Sequence, residues 1–137
     1  MSNELVLQVA GLRAGLAYNT FPLMAGQWVP DGLLTLAPAW RNLFENPTMV
    51  QFVHRCLALT TLALIGFLWL RLARAGLDRG QRRALNALLA MGLVQVALGI
   101  ATLLWGVPVL LGTLHQGGAV LLLSAVLVLA HRGVPAR

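Results

Sequence analysis

The sequence predicts an all-α integral membrane bundle: three full transmembrane helices, a truncated N-terminal helix and an outer amphipathic loop. Two observations predict it. The 137 residues are 58% hydrophobic and only 10% charged, where a soluble domain carries about a quarter charged residues. Three apolar stretches also reach or exceed the ~20 residues needed to cross ~30 Å of hydrocarbon.

The first apolar stretch, residues 5–18, is too short to span. It holds small residues (Ala10, Gly11, Ala14, Gly15, Ala17) and Arg13. It reads as the end of a helix whose beginning is missing, or as a short interfacial helix. No secretory leader is expected, because Met-Ser-Asn-Glu is not a basic region and no cleavage site follows.

Residues 19–46 form a loop bearing Pro22, Pro30, Pro38, Trp28 and Trp40. Tryptophan favours the membrane interface. Within the loop, "LAPAWRNLFENP" reads as a short amphipathic piece. Asn46-Pro47 then supplies a cap and a first helical position for the second stretch, which runs to about Leu72. Arg71, Arg74, Asp78, Arg79, Arg82 and Arg83 follow, with Gly76 and Gly80 as breakers. The third stretch covers residues 84–106. Gly106-Val107-Pro108 makes a tight turn, and the fourth stretch runs from Pro108 to about Ala130.

All ten basic residues are arginine, and the net charge is +6. In an apolar chain such an excess marks cytoplasmic loops rather than nucleic-acid binding. Five arginines lie between the second and third stretches, against one arginine and two acids in the first loop. The positive-inside rule puts the five-arginine loop and the C-terminus, with Arg132 and Arg137, in the cytoplasm. The loop of residues 19–46 and the Gly106 turn then face outward.

His54 and His115 each stand seven residues after a proline, Pro47 and Pro108. Each lies roughly 10 Å along its helix. Both helices begin at the outer face, so the imidazoles share one depth in the outer half of the bilayer. Two neutral imidazoles facing one another in a membrane are what a haem iron needs as axial ligands. Gly112, Gly118 and Ala119, with Gly117 between, leave a trough beside His115 that suits either a flat macrocycle or a neighbouring helix.

On the second stretch the His54 face carries Val50, Gln51, Ala58 and Thr61. Gly92, Gln95, Gly99, Thr102 and Gly106 form one stripe of the third stretch, which reads as close packing. Gln95 is also a candidate hydrogen-bond partner for a ligand. Arg55 has two readings, pairing with haem propionates or reaching for lipid headgroups. Cys56 reads as a small buried apolar residue. His131 lies 16 residues beyond His115, roughly 24 Å along the helix, so it reads as interfacial. Zinc would want more ligands than this depth offers, and no nucleophile triad, carboxylate pair or phosphate loop is present.

The runs "AGLRAGLAYNTFPLMAGQWVP", "RNLFENPTMVQFVHR" and "TLLWGVPVLLGTLHQGGAVLL" closely resemble the C-terminal half of haem A synthase, in its proteobacterial and mitochondrial form. The resemblance covers about residues 10–131. Its most specific motifs are "NTFPLM", "FENPTMVQFVHR" and "LHQ". It implies an eight-helix membrane protein made of two similar four-helix halves, oxidising a methyl group of haem O to the formyl group of haem A for cytochrome oxidase assembly.

The resemblance further implies that His54 and His115 ligate a haem b in this half, while the other half takes the substrate. The family's catalytic glutamate belongs to that other half, three residues before its first histidine. Gln51 stands at the matching place here, so no catalytic residue is expected in residues 1–137. The expected haem-contact residues are His54, His115, Arg55, Gln116, Gly112 and Gly118. The expected partners are haem, membrane lipid, and an N-terminal half or a second copy of the chain. The expected place is a bacterial inner membrane, with the histidine pair toward the periplasm. Two further readings stand beside this one: a non-catalytic bis-histidine b-type electron-transfer module, and a decayed fragment that binds nothing.

Overall fold

The computed structural model describes residues 14–133. Among them the only strand-like pairing is an isolated bridge between Met24 and Gln27. A 3-10 turn at Ala14–Leu16 comes first. After a long loop, a second 3-10 turn at Ala39–Arg41 runs into the short helix α1 (Asn42–Glu45). Three long helices follow: α2 (Pro47–Leu72), α3 (Arg79–Leu104) and α4 (Val109–Gly133). All three are long and apolar enough to cross a membrane. Most of the first apolar stretch lies outside the described residues.

The "LAPAWRNLFENP" piece is helical over residues 39–45 and is tied down by two buried asparagines. Asn42 accepts from the Leu36 N–H at 3.0 Å and donates to the Leu36 carbonyl at 2.9 Å. Asn46 caps α2, accepting from the amides of Thr48 (3.0 Å) and Met49 (3.4 Å), with Pro47 opening the helix. The Asn46 amide also donates to the carbonyl of Gly32 at 2.7 Å. The start of α2 is therefore bolted to the loop as well as capped.

Helix α3 starts at Arg79, ahead of the expected residue 84. The cause is a capping box. Asp78 accepts from the Gln81 amide at 2.8 Å, and Gln81 accepts from the Asp78 amide at 3.1 Å. These bonds satisfy two orphan donors and carry Gly80 inside the helix, where it had read as a breaker. At α4, the Pro108 carbonyl accepts from the Gly112 amide at 2.9 Å. Pro108 thus caps the helix and Val109 opens it, one residue later than expected. The turn before it places Gly106 (φ 71°) and Val107 (φ 58°) in the left-handed region.

Helices α2 and α4 each pack against α3 and come far less close to one another. Glycines set these approaches. A Cβ at Gly92 would sit 3.3 Å from Ile65 Cδ1 on α2, and one at Gly99 would sit 2.9 Å from His115 Cε1 on α4. Toward the far end, Trp69 Nε1 donates to Asn86 Oδ1 at 2.9 Å, joining α2 to α3. There α2 and α4 flank an apolar cleft of ≈ 370 Å³ lined by Leu64, Leu68, Val126 and Leu129. Few side chains are fully buried, while Leu64, Leu70, Val109 and Leu110 point outward. Such exposed leucine and valine faces suit a lipid solvent. Cys56 is exposed on α2 instead of buried in the bundle.

Candidate functional site

His54 on α2 and His115 on α4 meet across the gap between their helices. Their ring centroids lie 6.1 Å apart, with the planes at 77°. The matched spacing from Pro47 and Pro108 thus delivers both imidazoles to one level. Both residues are half-buried. The Nδ1 atom of His115 is buried and has no protein partner. A buried polar atom without a partner is costly, so a ligand-directed role is chemically reasonable.

Helix α3 supports His115 from behind. Gln95 Nε2 donates to the His115 backbone carbonyl at 2.6 Å. Gly99 lies directly beneath the imidazole. Gly118 lies against Gln95, where an added Cβ would fall on Oε1. The small residues at 92, 99 and 118 therefore serve helix contact, as the packing reading expects. Gly112 and Gly117 instead border open space, and Gln116 is exposed next to His115. His131 is exposed near the far end of α4, well away from the pair.

Arg55 is turned toward the loop that precedes α1. Its guanidinium donates to the carbonyls of Tyr18 (2.9 Å), Pro22 (3.5 Å) and Leu23 (3.5 Å). Gln51, buried on the same face, donates to the same Tyr18 carbonyl at 3.2 Å. Sequence periodicity gave no sign of this network, because its acceptors are backbone carbonyls more than thirty positions away.

The donor set limits the chemistry. Among the described residues, no cluster of three or more histidines, cysteines or acids is present. A structural zinc wants four ligands. Two histidines alone suit a metal that brings further ligands of its own, as a haem iron does.

Residues 8–127 match the family model of the cytochrome oxidase assembly protein. The chain belongs to this family. Its relatives include the heme A synthase of Nitrosospira multiformis, 50% identical over 90% of this chain and 35% of that protein. The heme A synthase COX15 of Mus musculus is 50% identical over 93% of this chain and 31% of its own length. The human heme A synthase COX15 is 48% identical over 93% of the chain. The chain thus spans about a third of the length of these relatives. No solved structure matches it.

Proposed function

We propose that this chain is the haem-binding C-terminal half of a haem A synthase-type enzyme, holding one haem b between His54 and His115. The observation that carries the reading is the meeting of the two rings, from two different helices, at 6.1 Å. Gly112, which has open space beside it, and Gln116, exposed next to His115, are the further haem contacts we assign on α4; Gly118 is taken up by its contact with Gln95 and is not one of them. When bound, the haem supplies electron transfer for oxidation of the haem O methyl group. The protein would supply histidine ligands, position and an apolar surround.

Within this chain, His54 and His115 would hold the iron. Gln95 and Gly99 set the height and tilt of His115. Gln51 stands where a catalytic carboxylate belongs in the other half, and a neutral amide there cannot act as a general base. Methyl oxidation is therefore the work of an N-terminal half docked on the exposed helix faces; a second copy, which carries the same Gln51, can cover those faces but not supply the missing carboxylate. The arginine-rich segment between α2 and α3 supports an orientation with the histidine pair toward the periplasm of a bacterial inner membrane. The loop of residues 19–46 and the C-terminus then lie on opposite sides.

The test is expression of the chain in membranes, alone and with an N-terminal half, followed by reduced-minus-oxidised spectra and a haem O to haem A assay. A b-type band lost in His54→Ala and His115→Ala, but kept in His131→Ala, is expected. Conversion is expected only with the partner. An unaltered band in the first two variants would remove the ligand assignment. A band without conversion in either setting would favour the electron-transfer module instead.

A further inference from the structure

We propose that Arg55 is a positioning residue, pinning residues 18–23 as a strap across the outer end of the gap where His54 and His115 meet. The strap is held at both ends. On α2, Arg55 donates to the carbonyls of Tyr18, Pro22 and Leu23, and Gln51 adds a second bond to Tyr18. On the other side, the Asn19 amide donates to the Leu103 carbonyl at 2.8 Å, at the end of α3. Gly15 abuts the turn before α4, where an added Cβ would lie 3.0 Å from Val107 Cγ2. The segment therefore runs from the helix that carries His54 to the turn that leads into the helix carrying His115.

The side-chain chemistry fits a clamp. Among the described residues the one ion pair is Arg41 with Glu45, and Arg55 has no carboxylate. A half-buried cation without a counter-ion is costly, and the strap's carbonyl oxygens offset that cost. A planar fork with several fixed donors can hold carbonyls from three residues at once, whereas an ammonium is a point charge. Arg55 also follows His54 directly, about 100° round α2. Moving the strap therefore acts on the turn of α2 that aims the imidazole.

The inference rests on the haem reading only for its second measurement. The first is hydrogen exchange of the amides at residues 18–27 in the full chain in lipid nanodiscs. Arg55→Met keeps the apolar stem and removes every donor, and is expected to speed exchange about tenfold, as for loss of a charged hydrogen-bond network. Arg55→Lys is expected to lie nearer to Arg55→Met than to wild type. Asn19→Ala frees the other end from an exposed position, and is expected to speed exchange even if the Arg55 variants fold poorly.

The second measurement is the rate at which added cyanide alters the spectrum of the haem-loaded protein. It is expected to rise at least about threefold in Arg55→Met, with the b-type band retained. Unchanged exchange in Arg55→Met, or wild-type behaviour of Arg55→Lys, would overturn the clamp. Faster exchange with unchanged cyanide access would overturn its guarding of the gap. If the wild type binds no haem, the haem reading fails and exchange alone decides the strap.

Discussion

Gln95 and His115 are joined by a 2.6 Å hydrogen bond from a side-chain amide to a helical backbone carbonyl. The bond fixes the height of α4 on α3 at the residue that carries the imidazole. Interhelical hydrogen bonds in membranes contribute roughly 0.6–2 kcal/mol. Gln95→Leu is expected to lower stability by about 1 kcal/mol. On the proposed haem reading it should also shift the reduction potential, which potentiometric titration of the haem-loaded protein would read. A stability loss with an unmoved potential would make Gln95 a packing residue only.

The glycine under the imidazole gives a sharper outcome. A Cβ at position 99 would lie 2.9 Å from His115 Cε1. The ring, boxed in by α3, must tilt to admit it. Gly99→Ala is therefore expected to weaken haem retention by about tenfold or more, a cost of the order of overpacking a tight contact. Gly66 on α2 has nothing within 4 Å of an added Cβ. Gly66→Ala should keep haem retention unchanged and gain up to ~1 kcal/mol from helix propensity. Spectra after gel filtration would compare the two.

Asn46 is the most heavily used side chain of the loop. It caps α2 and holds the carbonyls of Gly32 and Leu33 as well as the Thr35 hydroxyl. Asn46→Ala is expected to cost about 2 kcal/mol or more, since cap losses alone reach that range. Asn46→Asp keeps the cap acceptors but loses the donors, and should fall between the two. Thermal unfolding in detergent would rank them.

The pair of Arg41 and Glu45 predicts a pH effect. The hydrogen bond from Arg41 holds the Glu45 carboxyl below the usual carboxylate range. A depressed folded value means that the stabilisation is present above the unfolded value and is lost as pH falls through the folded one. Acidification through this range should lower the amide protection factors of residues 36–46, that is, exchange corrected for its intrinsic slowing in acid, and Glu45→Gln should show the lower protection already at neutral pH. Both groups are exposed, so the effect should be small and should fade at high salt. A profile identical in wild type and Glu45→Gln would remove the claim.

Much of this architecture was legible in the residues. Hydropathy marked α2, α3 and α4 because lipid demands long apolar helices. Asn46-Pro47 marked the start of α2 because cap chemistry is local. The equal spacing of His54 and His115 from their prolines put them at matching positions along their helices, while their facing one another depends on how α2 and α4 rotate against α3, which the string does not show. The start of α3 was missed because the arginines and Gly80 masked the reciprocal bonds of Asp78 and Gln81. The role of Arg55 was not readable, because its acceptors are carbonyls that only the folded loop presents. The contact of Gly118 with Gln95 was hidden too. Small residues look the same in a string whether they face a cofactor or a neighbouring helix.

The equal run from Asn46-Pro47 to His54 has a consequence for how this protein tolerates change in length. One extra residue within positions 48–53 would swing His54 by about 100° and sink it by ~1.5 Å relative to its mate. The same addition among positions 25–31, before the Gly32 anchor of Asn46, would leave the register of α2 untouched. Drift in size is thus open to the external ribbon and closed to the first two turns of the helix below it.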